Sequence, residues 1–376
     1  MKYLIVTPGY PSEDNMYNNN FIHSRVKLYQ KKGLEVDVFS TSNKKSLKYN
    51  FDDVNVTQGS YDELANVLKE NEYTKILVHF GWQKIMTTII KNVTPCTPII
   101  VWVHGVEALG WYRRLFNLDS NILNLIKFGG YAILNTKQML FMRTLILNAD
   151  KYNVHFVFVS HWMKDILEKD TLTIGRIKNY DIIPNVIDDS IFNYIKKDIK
   201  QRFKVFNIRP YHSKKYANDV MVDTIIELSK RPVFNKLEFN LYGDGRLFNK
   251  ITSRIKHLDN VNIHKGFLTQ DKIAEKHKTN GILLMPTRQD AQGVSMCEAM
   301  SSGLVPVVSN NTAIPEYVNN DIGYLCNNYI EMADAIEELT KQADTFAKKS
   351  VKASGFIQNK CSQLKVTEME IKILKK

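Results

Sequence analysis

The most constraining stretch of the chain runs from Gly281 to Val308. An apolar run, Gly281-Ile-Leu-Leu-Met285, ends at Pro286. A polar turn follows, with Asp290 and Gly293. A short helical pattern then carries Glu298 and closes at Gly303, and Val305-Pro-Val-Val308 resumes as an apolar run. Strand, loop, helix and strand at this spacing is the unit of an open α/β sheet, which presents its site at the carboxyl ends of the strands. An all-helical or all-β fold cannot accommodate it.

The same alternation recurs along the chain. Residues 2–7 read as a buried parallel strand, and 21–32 as an amphipathic helix closed by Gly33. Further strands are expected at 36–39, 76–79, 99–103, 154–159 and 181–183. After a turn-rich break at Pro184-Asn185-Val186-Ile187-Asp188, a second series begins at 205–208. It continues through 237–242, 261–263, 282–285 and 305–308, with a helix over 220–229 and a helical tail from about 330. At 376 residues the length suits two domains. Those expected are 1–190, 191–350 and a terminal helix, 351–376, crossing back to the first. The connection at 111–150 reads as two helices packed on the sheet. Its competing reading is a basic, aromatic surface for a membrane or a lipid-linked substrate.

The net charge of +12 suits anionic partners and does not choose among them. The cations are scattered, without the stripe of base-stacking aromatics that nucleic-acid binding requires. Cys96, Cys297, Cys326 and Cys361 form no close pair, which fits a reducing compartment. The first residues are too briefly apolar for a secretory signal. No apolar run reaches the ~20 residues of a membrane span. A cytoplasmic protein is expected, at the inner face of the membrane if it is peripheral.

Asp290 and Glu298 are two carboxylates set apart at a helix start. A loop carboxylate accepts hydrogen bonds from sugar hydroxyls, and one on the following helix accepts two from a ribose diol. Gly293 and its neighbouring amides, Gln292 and Val294, lie where a phosphate approaches a helix N-terminus. A second reading is equally open: Ser295-Met-Cys-Glu298 fits a capping box, in which Glu298 only satisfies a backbone N–H.

This stretch resembles the E-x7-E region of the retaining glycosyltransferases of family 4, with Asp290 in place of the first glutamate. Ala291-Gln292-Gly293 stands where the family has Gly-Phe-Gly. Arg209-Pro-Tyr-His-Ser-Lys214 resembles its diphosphate-gripping Arg and Lys pair, with Lys215 a rival to Lys214. Trp102-Val-His104-Gly105 resembles its His-Gly element, and Pro8-Gly9-Tyr10 its first glycine-rich turn. Tyr242-Gly-Asp-Gly245 and His264-Lys-Gly266-Phe267 resemble a glycine turn and the segment that faces the nucleobase.

The resemblance implies a GT-B fold, two Rossmann-like domains, and transfer of a hexose with retention. The donor would be a UDP- or GDP-sugar, and the acceptor a glycan or lipid-linked hydroxyl in cell-surface polysaccharide synthesis. Neither metal nor further cofactor is implied. Arg209 and Lys214 would stabilise the departing diphosphate, Asp290 and His104 would orient the sugar, and Glu298 would hold the ribose. Gly9, Gly266, Gln292, Gly293, Val294 and Lys215 would contact the donor. The rivals are a GT-B epimerase or phosphorylase and a non-enzymatic basic protein that binds nucleic acid or membrane. A dinucleotide oxidoreductase lacks its G-x-G-x-x-G after the first strand.

Overall fold

The computed structural model describes residues 2–15, 18–42, 46–118 and 121–376. Contacts divide the chain into two compact units. Unit 1 is Met1–Pro184 with Val366–Lys376, and unit 2 is Asn185–Lys365. The first boundary falls a few residues before the expected 190–191.

Unit 1 is built on eight strands: β1 Lys2–Thr7, β2 Glu35–Thr41, β3 Leu47–Phe51, β4 Val54–Gly59, β5 Lys75–His79, β6 Ile99–Val103, β7 Val154–Phe158 and β8 Tyr180–Ile182, in the order β3-β4-β2-β1-β5-β6-β7-β8. All neighbours are parallel except β3 and β4. β5 and β6 are buried along their whole length, as continuous apolar runs in a parallel sheet require.

Unit 2 holds β9 Lys204–Ile208, β10 Glu238–Gly243, β11 Val261–Lys265, β12 Ile282–Met285, β13 Val305–Ser309 and β14 Tyr324–Cys326, all parallel, in the order β11-β10-β9-β12-β13-β14. One layer of its core joins Val205, Phe239, Ile282 and Val307 to the helices Asn218–Ser229 and Tyr329–Lys341. The other joins Phe206, Leu283 and Val308 to Met296 and Met300 of the helix Val294–Ser301.

Two regions depart from the sequence reading. The antiparallel pair β3–β4 is unexpected. The segment 111–150 is a 3-10 helix, Trp111–Asn117, followed by one continuous 26-residue helix, Ile122–Leu147, rather than two.

The last helix, Gln363–Lys375, starts beside unit 2 and is held in unit 1. There the Glu370 carboxylate accepts from Arg25 Nε at 2.8 Å and from Tyr29 Oη at 2.7 Å, all three residues being buried. The final carbonyls of a helix lack partners within it. Tyr3 Oη and Lys75 Nζ supply donors to the Leu374 and Ile373 oxygens at 3.2 and 2.9 Å.

Candidate functional site

In unit 2 the site grows from the carboxyl ends of β9, β10 and β12. Arg209 follows β9 directly. Its loop is fixed by the turn after β10: Arg209 N donates to the Tyr242 oxygen at 3.1 Å and Tyr211 N to the Asp244 oxygen at 2.8 Å. Gly243 and Gly245 have φ of 151° and 145°, and a Cβ on either would collide with the backbone of Arg209 or Tyr211. Glycine is therefore required for two loops to touch, and the contact sets the arginine's position.

The Arg209 guanidinium is buried and stands over the Tyr216 ring at 4.8 Å. Its Nη1 donates to Ser295 Oγ at 3.2 Å and its Nη2 to Asp290 Oδ2 at 3.3 Å, both long for such bonds, while the buried Nε has no partner among the described residues. An arginine with a spare N–H and stretched contacts is poised for a further anion.

Asp290 ties its own loop together. Its Oδ1 accepts from Gly293 N at 2.7 Å and from Gln292 N at 3.3 Å. Burial alone would raise this carboxyl. Arg209 and Lys215, with those two N–H groups, outweigh it and hold Asp290 below the usual carboxylate range. Asp290 is thus an ionised counter-charge that positions both Arg209 and the helix start.

Gly293, in the left-handed region at φ 80°, is the N-cap of Val294–Ser301. This removes the capping-box reading of Glu298. Glu298 lies five residues past the N-cap, not three, so no capping box forms. Burial is the sole influence recorded on its carboxyl, and pushes it up to about 8. A half-buried carboxyl that helps neither cap nor ion pair is a candidate for ligand contact. The N–H groups of Val294, Ser295 and Met296, in the first turn, have no intrahelical acceptor and add positive potential at the Arg209 side of the helix.

Two expected donor contacts change. Gln292 is almost fully buried, and its amide is spent on unit 2's first residue: Oε1 accepts from Asn185 N at 2.6 Å and Nε2 donates to Asn185 O at 3.1 Å. It braces the loop and has no side-chain donor left to face a ligand. Of the two lysines, Lys214 is exposed, while Lys215 is half-buried and is the one whose charge Asp290 feels. Lys215 thus lies nearer the Asp290 loop than the exposed Lys214 does. Gly266 has open space around it, and its N–H is used on Gly243 O at 3.0 Å. Beside it a pocket of ≈ 420 Å³ is lined by Tyr242, His264, Gly266, Phe267 and Lys276.

Sequence reasoning missed Arg288, Tyr216 and Ser295. Arg288 grips Asp219 through both nitrogens at 2.8 and 2.6 Å and donates to Lys214 O at 2.7 Å, so it holds the lysine turn against β12's loop. A cation directly after the Pro286-Thr287 strand end was the available signal. Its partner, 69 residues away, was not.

In unit 1, His104 follows β6. Its Nε2 is 3.0 Å from His79 Nδ1, and its ring packs on Phe21 and Phe80. Burial, and then the Arg25 charge, hold the His104 ring well below the ordinary histidine range, so it is neutral. The Glu107 carboxylate accepts from His104 N at 2.7 Å. It caps the His104 turn, and burial pushes it up to about 7. Gly9 lies at the end of β1, where its carbonyl accepts from Thr7 Oγ1 and Asn19 Nδ2 at 3.0 and 3.1 Å. It lines a cavity of ≈ 700 Å³ with Tyr10, Asn18, Ser40 and Tyr49, at the carboxyl ends of β1 and β2. Ser160 caps the helix His161–Asp170, its Oγ accepting from Met163 N at 3.2 Å. Among the described residues no three His, Cys, Asp or Glu side chains gather as a metal group.

Residues 204–342, most of unit 2 and all of its Arg209-to-Glu298 site, match the family model of glycosyl transferases group 1. This segment of unit 2 is thus similar to the group 1 glycosyltransferases. Among curated proteins it is similar to N-acetyl-alpha-D-glucosaminyl L-malate synthase of Bacillus anthracis, 25% identical over 61% of this chain and 54% of that protein. The match thus spans about half the length of that relative. Among solved structures, sucrose-phosphate synthase from Thermosynechococcus elongatus aligns with a TM-score of 0.73 at 11% identity, over 100% of this chain and 98% of the other. Anabaena HepE in complex with UDP aligns at 0.71 and 13% identity, over 100% of both chains. S. aureus TarM, in complex with Fondaparinux, alpha-GlcNAc-glycerol and UDP, aligns at 0.66 and 13% identity, over 99% of each. The fold is GT-B, two Rossmann-like domains.

Proposed function

We propose that the chain transfers a hexose, with retention, from a UDP- or GDP-sugar to a hydroxyl of a glycan or lipid-linked acceptor, in cell-surface polysaccharide synthesis at the cytoplasmic face of a membrane. The observation that carries this reading is Arg209. Its guanidinium is buried, under-bonded at Nε, and set beside Lys215 and the first-turn N–H groups of the helix after Gly293. Such a group suits a diphosphate, on which charge grows as the bond to the sugar breaks.

In this reading unit 2 holds the donor. Arg209 and Lys215 neutralise the leaving diphosphate, and the Glu298 carboxylate accepts from the ribose hydroxyls. The base lies beside His264 and Gly266. Asp290 orients the sugar through the loop it ties. Unit 1 offers the neutral His104 for sugar hydroxyls and the cavity beside Gly9 for the acceptor. The C–O bond between the anomeric carbon and the β-phosphate breaks. The acceptor oxygen bonds to that carbon from the same face, and its proton passes to the leaving phosphate. Protein cations do the electrostatic work, without a metal. The UDP named with HepE and TarM supports the donor class.

Transfer is tested by following nucleoside diphosphate and the product's anomeric configuration. Release that requires acceptor, with a product of the donor's configuration, is expected. Release without acceptor, or an epimerised nucleotide sugar, contradicts the proposal.

A further inference from the structure

The helix Ile122–Leu147 is about 39 Å long at 1.5 Å per residue, yet it is half-covered. Asn135, Gln138, Met139, Met142, Leu145 and Ile146 form its buried side. The opposite side carries Ile122, Ile126, Ile133 and Leu140, all at least 60% exposed, with Leu147 also exposed. Their spacings of 4, 7, 7 and 7 keep them on one stripe of a 3.6-residue helix. Leu123 and Leu134 lie beside it, exposed too. This helix carries eight of the 23 exposed large hydrophobics among the described residues.

The stripe continues onto a second element. Arg143 Nη1 donates to the carbonyls of Thr171 and Leu172, at 2.9 and 2.5 Å, and so ties the helix to the turn after Asp170. Leu172 has φ 54°, a costly conformation for a leucine, and is 79% exposed; Ile174 is 74% exposed. The backbone here is bent into the left-handed region while two apolar side chains stand in solvent.

The charges identify the occupant. From Ile122 to Leu147 there is no Asp or Glu; the charged residues are Lys127, Lys137 and Arg143. Arg176 and Lys178, exposed, extend the rim beyond Ile174. Asp170, a carboxylate beside the Leu172 turn, is taken up by Arg113 at 2.6 Å. A second copy of this face would bring cation to cation. No helix of the described residues is long and apolar enough to cross a membrane. The rim is mainly cationic, with Asp150 an exposed carboxylate at the Leu147 end that accepts from Asn179 at 3.0 Å, and an apolar stripe so rimmed fits a surface lying in the interface of an anionic bilayer.

We propose that the Ile122–Leu147 stripe and the Leu172–Ile174 turn together dock unit 1 on an anionic lipid surface. The inference deepens the membrane-face part of the proposed function, and vesicle binding is read without donor or turnover, so the two can fail separately.

The test is co-sedimentation of the full chain with phosphatidylcholine vesicles and with vesicles in which a third of the lipid is phosphatidylglycerol. Binding to the anionic vesicles, weakened by salt, is expected. Ile133→Glu with Leu134→Glu, and separately Leu172→Glu with Ile174→Glu, should each lower it at least tenfold. Lys127→Gln and Lys137→Gln should each lower it about fivefold, on the anionic vesicles only; these exposed changes leave the fold intact and keep the test decisive if a glutamate pair does not fold. Absence of wild-type binding overturns the proposal. So does binding that the variants leave unchanged, or a dimer that the glutamate pairs convert to monomer with no vesicle binding.

Discussion

Unit 2 surrounds an ionised carboxylate, Asp290, with Arg209 and Lys215, whereas unit 1 sets two histidines, His79 and His104, against each other and keeps both neutral. The difference lies in where each unit spends its buried cation. Arg25 of unit 1 is paired closely with Glu370, at 2.8 Å, and locks the last helix in place. Arg209 of unit 2 meets its carboxylate only at 3.3 Å. A tightly paired buried arginine holds architecture, and a loosely paired one is held ready for a charged ligand. This difference is why the proposed function places the diphosphate in unit 2 and neutral hydroxyls in unit 1.

The comparison breaks first at Arg209. Arg209→Ala should lower kcat/KM for transfer by roughly 10³-fold, and Arg209→Lys should recover only part of it, because an ammonium lacks the fork. Removing the unit 1 counterpart, Glu370→Ala, should instead cost about 3–5 kcal/mol of stability, by leaving Arg25 buried and unpaired. A thermal midpoint that falls more for Arg209→Ala than for Glu370→Ala would reverse the two assignments.

The lysines sharpen it next. Lys215→Ala should cost transfer roughly 10–100-fold, and Lys214→Ala less than about threefold, since Lys215 is half-buried beside Asp290 while Lys214 is exposed. Steady-state kinetics of the pair decides this, and the opposite ranking would restore Lys214.

His104→Ala should lower kcat about tenfold or more while nucleotide affinity stays nearly constant. His104 is held well below the ordinary histidine value, so its ring stays neutral as pH falls from 8 to 6. Transfer should show no histidine-linked loss across that window. A profile that falls with a midpoint near 6.5 and disappears in the variant would contradict a neutral ring.

Glu298 gives the smallest and most diagnostic effect. Its carboxyl is raised from 4.5 to about 8 in the fold, so the unliganded protein takes up a proton on folding between those values. Stability should therefore fall as pH rises from about 4.5 to 8. Glu298→Gln should flatten that slope and raise the thermal midpoint at pH 8, yet weaken nucleotide binding about tenfold by losing the carboxylate. A variant that is both less stable and unaltered in binding would make Glu298 an ordinary structural residue.

Both parallel sheets were legible because buried strands are written as apolar runs and their helices as periodic stripes. The pair β3–β4 was not. Its turn uses Asp52-Asp53, both at positive φ, without the glycine that normally announces a tight hairpin. The 111–150 segment, read as two helices, holds Gly129 and Gly130 inside one, where nothing lies within 4 Å of a Cβ added at either and the helix runs through them. In the site, Asp290, Glu298, Arg209 and His104 were marked by their places at strand and helix ends. Gln292 and Arg288 were not separable, because what assigns them is a partner distant in sequence, Asn185 for one and Asp219 for the other. Lys214 and Lys215 are adjacent, and only the path of the turn shows which one reaches inward.

The central claim is that unit 2 recognises a nucleoside diphosphate through Arg209, Lys215 and Glu298. Calorimetric titration of the full chain with UDP, GDP and ADP, and with the matching nucleosides, tests it most directly. One diphosphate should bind at least tenfold tighter than its nucleoside, lose that advantage in Arg209→Ala, and at ~100 times its Kd add about 2.7 kcal/mol of stability. A diphosphate bound no better than its nucleoside, or an advantage that survives Arg209→Ala, would contradict it.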